Sequence, residues 1–365
     1  MKKKILVICP YPENVAAAQR LKYEQYFPAF RKAGYELDVE PFFNMAGYSS
    51  LYVKGKYLTK SFHTIIAYFR RFPLLFRIRK YDLVYNFLWV TPLGPPIFEF
   101  LIHKLSKRII YDIDDMVFLG HASRYNKFSK LLKGKNKMIY MMKNADHVIT
   151  CTPVLDQFVR KFNLNTTDIS STVDTEAYVQ REEISWSDKP TIGWSGSHST
   201  SKYLKLLENV FIRLKEEKGV DFRVLIIGDE EFKFDSERFE YKAMPWNLKT
   251  EVEDLRKIDI GVYPLLDEPW IYGKSGLKAI QYMAIGIPTI ASEWGTIGRI
   301  IRSGENGLLV KSDDEWLNAL LEIIRNVPLR EQFRVKGRDT IVNKYSLLAN
   351  EGTYLNIIAD VIRKN

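Results

Sequence analysis

The chain has 365 residues, with 54 Lys and Arg against 44 Asp and Glu, a formal charge of +10, 46% hydrophobic residues and two cysteines. At roughly 100–200 residues per domain, this length suggests two domains with a core each. The composition excludes a disordered or fibrous chain, a disulfide scaffold and a cysteine-rich zinc site. The charge admits nucleic acid, an anionic membrane or phosphorylated substrates as partners without choosing among them.

The first half alternates short β-branched runs with helical windows. Strands are expected at Lys4–Cys9, Asp82–Asn86, Arg108–Tyr111 and His147–Cys151, and helices at Ala16–Gly34, Leu58–Phe72, Pro96–Ser106 and Lys127–Asn144. Lys2-Lys3-Lys4 precedes only a strand-sized run before Pro10 and Pro12, so a signal peptide is not expected. The apolar stretch Val84–Ile102 is interrupted by prolines, Asn86 and Glu99, which argues against a membrane span. Cys9 and Cys151 lie in apolar runs and read as buried reduced thiols, which fits a cytoplasmic protein. Lys54–Lys80 holds eight basic residues and no acid around an apolar stripe of Leu58, Phe62, Ile65, Ile66, Phe69 and Phe72. It reads either as a peripheral attachment to the inner face of an anionic membrane or as a helix packed on the sheet with its basic face in water.

A second series starts near Pro190, with strands at Thr191–Trp194, Arg223–Ile227, Ile260–Tyr263, Ile287–Ala291 and Leu308–Val310. The polar stretch 175–189 reads as a linker between an N-terminal domain, 1–174, and a C-terminal domain, 190–346. Strand–helix alternation implies parallel sheet with right-handed crossovers, so each domain is α/β and doubly wound. Their strand ends should share a cleft.

Two segments carry the signs of a phosphate site. Gly193-Trp194-Ser195-Gly196-Ser197-His198-Ser199-Thr200 follows a strand and should open a helix. Its small residues and free amides suit an anion; an ordinary turn capped by Ser199 or Thr200 is the alternative. In Tyr272–Pro288, Gly273, Ser275 and Gly276 form a loop entering a helix that Gly286 ends. Lys274, Lys278 and Gln281 are spaced to share one helix face, with Leu277, Ile280 and Ala284 on the packed face. Two ammonium groups beside a helix N-terminus attract an anion.

The run Gly276-Leu277-Lys278-Ala279-Ile280-Gln281-Tyr282-Met283-Ala284-Ile285-Gly286-Ile287-Pro288-Thr289-Ile290-Ala291-Ser292 resembles the donor helix and following strand of retaining, nucleotide-sugar-dependent glycosyltransferases of the GT-B fold (group 1, family 4-like). Further matches keep chain order: Pro10-Tyr11-Pro12 with Gln19-Arg20, Ala145–Ile149, Val173-Asp174 and Gly304–Val310. The resemblance implies two Rossmann-like domains facing a central cleft, with the C-terminal helix 347–365 returning to the N-terminal domain. It also implies a nucleoside diphosphate sugar as co-substrate, a carbohydrate or lipid-linked acceptor in surface polysaccharide or glycoconjugate synthesis, and no required metal or resident cofactor. The implied donor contacts are Ser195, Gly196, Ser197, His198, Lys202, Lys274, Ser275, Gly276, Leu277 and Gln281, with Lys278 neutralising the departing diphosphate.

This sequence departs from the family pattern. The two Glu residues that many relatives carry eight apart are here Gly273 and Gln281, and Trp194-Ser195 replaces the usual Arg. Gln281 can still accept from ribose hydroxyls, and Gln281→Glu should be tolerated if those hydroxyls are its partners; Asp267 or Glu268 would replace the first Glu at the sugar. Tyr111-Asp112-Ile113-Asp114-Asp115 ends a strand, with Asp112 and Asp114 on one face. These carboxylates read as cleft-lining contacts to sugar or acceptor, Asp112 and Asp114 counting with Lys278 as catalytic, with divalent metal binding as the alternative. Arg20, Asp115, His121 and Glu268 complete the acceptor or sugar contacts. Two rivals remain: a sugar-nucleotide epimerase of similar fold, and a non-catalytic nucleic-acid-binding protein using the basic segment, whose binding would fall steeply with salt.

Overall fold

A computed structural model of the chain describes residues 2–51, 53, 55–116, 135–183, 185 and 189–364. It divides into two compact units, residues 1–171 with 272–275 and 350–365, and residues 172–271 with 276–349.

The first unit is built on β1 (Lys3–Cys9), β2 (Tyr35–Pro41), β3 (Leu83–Phe87), β4 (Ile109–Asp112), β5 (His147–Thr150) and β6 (Thr166–Asp168), in the order β2-β1-β3-β4-β5-β6. Every pairing is parallel. The central strands are apolar throughout because a parallel sheet is covered on both faces. The sequence reading missed β2 and β6. Both lie at sheet edges, where β2 is mostly half-exposed and alternates Glu36, Asp38 and Glu40 with apolar residues.

The helix expected over Ala16–Gly34 is instead a short helix Ala17–Arg20, a 3-10 turn Glu24–Tyr26 and a helix Phe27–Lys32. The break turns Lys22 inward. Its ammonium, fully buried, donates to Thr150 O at 2.9 Å and to Ile169 O, and lies 3.6 Å from Asp112 Oδ1. One side chain thus ties the ends of β4, β5 and β6. Tyr85 donates its hydroxyl to the other Asp112 oxygen. Burial pushes the Asp112 carboxyl up, and Lys22 opposes that shift. The helix Leu347–Arg363 adds Tyr354, whose hydroxyl donates to Lys22 O at 3.3 Å and whose ring centroid lies 4.4 Å from that of Tyr26.

The helix expected at Leu58–Phe72 runs further, Tyr57–Arg77, and passes through Pro73. Of the window Lys127–Asn144, residues 135–144 form a helix and the rest lies outside the described residues. Cys9 and Cys151 are both buried.

The second unit holds β7 (Thr191–Ser195), β8 (Arg223–Ile227), β9 (Glu240–Met244), β10 (Ile260–Tyr263), β11 (Thr289–Ser292) and β12 (Leu308–Val310), ordered β12-β11-β10-β7-β8-β9 and all parallel. The strand missed here, β9, is again an edge strand, with its first and third residues exposed. Residues of the expected linker are packed into this unit. Tyr178 is buried, Arg181 donates to Ile258 O at 2.8 Å and pairs with Asp259 at 3.1 Å, and Arg338 donates to the carbonyls of Thr175 and Tyr178. Glu176, Glu182, Glu183 and Ser185 of the same stretch are exposed.

The Lys22 arrangement generates a prediction. Lys22→Met leaves the Asp112 carboxylate buried without its cation, and unfolding in urea should show a loss of about 3–5 kcal/mol. Lys22→Met/Asp112→Asn should regain part of that loss, since a neutral amide costs less to bury. A single variant as stable as wild type would contradict the assignment.

Candidate functional site

In the second sheet the chain leaves β7 for β8 on one side, while β10 pairs with β7 on the other. Crossovers therefore depart in opposite directions, and in open α/β sheets ligands bind at the carboxyl ends of strands where this happens. The loops following β7 and β10 meet this condition.

Two glycines let the loops after β7 and β8 lie against each other. Gly196 N donates to Ile227 O at 2.9 Å. Gly228 has φ +104°, and a Cβ there would sit 2.0 Å from Gly196 O, so no L side chain fits without moving backbone. A Cβ on Gly196 would in turn approach the Trp194 ring to 2.6 Å and Lys278 Cε to 2.7 Å. The loop is thereby pressed onto the helix Leu277–Ile285, which starts at left-handed Gly276.

That helix is registered on β7 by Tyr282. Its buried hydroxyl accepts from Ser195 N at 2.6 Å, and its ring fills space that only Gly261 leaves open. Four residues earlier on the same helix face, Lys278 places its ammonium 5.3 Å from the Trp194 ring centroid and 5.1 Å from that of Tyr263. Two aromatic faces hold a cation that is only partly exposed.

Beside it, His198 is exposed but not idle. Its Nδ1 is 2.5 Å from Asp229 Oδ1, and Ser201 donates to the other Asp229 oxygen at 2.5 Å. Asp229 is nearly buried, so the pair fixes the ring and leaves Nε2 outward. Ser197 and Ser199 share a hydroxyl contact at 2.9 Å. The segment after the loop is a 3-10 helix, Ser201–Leu207, and Thr200 donates to Ser197 O without capping it. Lys202 is exposed, its ammonium 5.0 Å from the Tyr203 ring.

The other candidates fall differently. Lys274 and Ser275 precede the helix and belong to the first unit, so Lys274 does not share a helix face with Lys278 and Gln281. Lys274 pairs with Asp115, and Ser275 Oγ is 2.8 Å from Ser171 Oγ. Leu277 is half-buried beside Gly276. Gln281 is buried, its amide nitrogen donating to the Tyr178 hydroxyl at 2.8 Å and to Glu251 Oε1 at 3.3 Å. This corrects the expectation that Gln281→Glu is tolerated, because the new carboxylate would face Glu251. Glu268 accepts from Tyr203 at 2.9 Å and from the Trp270 indole, and Asp267 is exposed.

Asp112 is corrected as well. It is fully buried under Lys22 and Tyr85 and lines no accessible surface. Asp114 and Asp115 are half-buried. Burial, then the neighbouring Asp115 charge, pushes the Asp114 carboxyl up to about 7, with Lys274 opposing. Arg20 ends the short helix Ala17–Arg20 and is half-buried, while Gln19 clamps the loop after β1 through Tyr11 N and O. His121 lies outside the described residues. Among the described residues, no three His, Cys, Asp or Glu side chains form a group able to hold a metal ion.

Sequence reading missed Tyr282, Asp229 and Glu251. The first two carried readable signals: Tyr282 follows Lys278 by four, and Asp229 sits just past the end of the strand beside β7. Glu251 carried none.

Residues 189–326 match the glycosyl transferases group 1 family. A phosphatidyl-myo-inositol mannosyltransferase of Mycobacterium leprae is 36% identical over 76 residues, which is 20% of this chain and 20% of that protein. Sucrose-phosphate synthase from Thermosynechococcus elongatus superposes with a TM-score of 0.72 over 100% of both chains at 15% identity. Anabaena HepE, solved in complex with UDP-glucose, gives 0.68 over 98% of this chain and 99% of its own at 12% identity. The fold is GT-B, and the match to the glycosyl transferases group 1 family spans its second Rossmann-like sheet.

The raised Asp114 carboxyl has a pH consequence. The folded state holds this proton more tightly than the unfolded chain, whose Asp titrates near 3.9. Stability should therefore fall as pH rises from about 4 to about 7. Asp114→Asn should remove part of that slope, so its gain over wild type in urea unfolding grows from pH 5 to pH 8. A pH-independent difference would contradict this account.

Proposed function

We propose that this chain is a retaining glycosyltransferase that moves a sugar from a nucleoside diphosphate sugar to a carbohydrate or lipid-linked acceptor in surface polysaccharide or glycoconjugate synthesis. The observation that carries the reading is Lys278, held between Trp194 and Tyr263 at the switch point of the second sheet, inside the group 1 domain.

In this reading the diphosphate lies along the Gly196–His198 loop and the start of the helix Leu277–Ile285. The bond between the anomeric carbon and the diphosphate oxygen breaks, and the acceptor oxygen joins on the face the diphosphate leaves. The acceptor hydroxyl proton passes to the departing phosphate. Charge grows on that phosphate, and the Lys278 ammonium, His198 Nε2 and the loop amides are the groups set to meet it. Asp229 orients His198 for that contact. Arg20, Asp115 and Glu268 are assigned to acceptor or sugar recognition. No metal or resident cofactor takes part, and the buried thiols fit a reducing cytoplasm.

Support for the donor class comes from the HepE complex with UDP-glucose, and for a lipid-linked acceptor from the name of the mannosyltransferase relative. UDP-, GDP- and ADP-sugars should be screened for thermal stabilisation, and the true donor should raise the midpoint as its concentration exceeds its dissociation constant. With that donor, Lys278→Ala should lower kcat about 10²–10³-fold while the melting midpoint stays within a few degrees of wild type. Turnover should survive EDTA. An active Lys278→Ala, or a protein that none of these donors stabilises, would overturn the reading.

A further inference from the structure

The helix Tyr57–Arg77 is amphipathic in an unexpected direction. Its inward face buries Ala67, Arg71 and Leu74. Its outward face carries Leu58, Phe62, Ile65, Phe69, Phe72 and Phe76, all exposed, with Leu58 at 88% and Phe76 at 86%. At 100° per residue these six fall within an arc of about 80°, opposite the buried face. The stripe is therefore not the core-facing surface that the packed alternative requires. It extends about 30 Å along the helix at 1.5 Å per residue. Phe72 meets Phe98 edge-on at 5.2 Å, and Ile97 and Phe100 of the adjoining helix Ile97–Leu105 are exposed too.

The cations around this stripe divide into two groups. Arg71 is not available to a partner: it is buried, donating to Cys9 O, Glu40 O and Val90 O and lying over the Phe42 ring, and burial lowers its guanidinium to about 10. Arg77 pairs with Glu40 at 2.6 Å, and Lys54 lies outside the described residues. Lys56, Arg70, Arg79 and Lys80 are exposed, and Lys60 is half-buried. No acid interrupts residues 54–80.

We propose that this helix lies in the plane of an anionic lipid surface, its phenylalanine stripe inserted between headgroups and the exposed Arg70, Arg79 and Lys80 on the phosphates. Charge complementarity selects this occupant. A second copy docked face to face would bring two acid-free basic helices together, whereas an anionic leaflet supplies both the apolar phase and the counter-charge. Attachment is interfacial, since among the described residues no helix is long and apolar enough to cross a membrane. The inference does not depend on sugar transfer.

The test is sedimentation of the full chain with vesicles of phosphatidylglycerol and phosphatidylcholine, against phosphatidylcholine alone, without donor. Wild type should sediment with the anionic vesicles only, and less so as salt rises. Phe69→Ser/Phe76→Ser and Arg70→Glu/Arg79→Glu, all at exposed positions, should each weaken binding at least tenfold with unchanged circular dichroism and melting midpoint. Wild type that ignores anionic vesicles at low salt would overturn the proposal. So would a phenylalanine variant that binds as wild type does, or a wild-type dimer that this variant splits in place of any vesicle binding.

Discussion

The hydrogen bond from the Ser195 amide to the Tyr282 hydroxyl is the point on which the second unit's site turns. It joins the last residue of β7 to the second turn of the helix Leu277–Ile285, and so sets how far along the sheet that helix can slide. Gly261 makes the approach sterically feasible by leaving room for the tyrosine ring. Once register is set, Lys278 has only one place to go, between two rings at the ends of neighbouring strands. Gly196 and Gly228 then let the loop after β7 close down on it. The cation's position thus follows from the register of the helix and from the two rings that receive it.

The first unit treats charge in the opposite way. Lys22, Arg71 and Lys137 are buried cations held by backbone carbonyls, those of Lys22 and Arg71 from several elements and those of Lys137 from the loop residues Thr91 and Leu93. Lys137 also faces buried Glu99 at 3.6 Å. Such groups satisfy carbonyls at strand and loop ends that the sheet ladder leaves over. Because carbonyl acceptors are already committed to them, the role of these cations is to fix loops in place, and residues such as Asp112 and Arg71 that look functional in sequence are occupied internally.

What the sequence made legible followed hydrophobic pattern. Arg223–Ile227, Ile260–Tyr263 and Leu308–Val310 match the strands residue for residue, because continuous apolar runs bounded by turns have few alternatives in a doubly wound sheet. Edge strands β2, β6 and β9 escaped because half-solvated strands need no such run. At the site, the small residues were readable, since the close approach of the loops after β7 and β8 requires them. Gln281 and Asp112 were misread for a common reason: a polar residue at a motif position looks available until the packing shows what already binds it. The contacts of Glu251 with Tyr178 and Gln281 and the inward turn of Lys22 depend on residues more than 25 positions away, which local pattern does not encode.

Tyr354 has a bearing on how the molecule is assembled in time. Its ring sits wholly inside the first unit, against Tyr26 and Phe30, yet it comes from residues 350–365. A ribosome that has released residue 171 has made all six strands of the first sheet but not this plug, nor residues 272–275. The first sheet must therefore wait with part of its aromatic core uncovered while the whole second unit is synthesised and is free to collapse by itself. Contacts of such long sequence separation form late and slowly. The half of the protein made first is thus the half completed last.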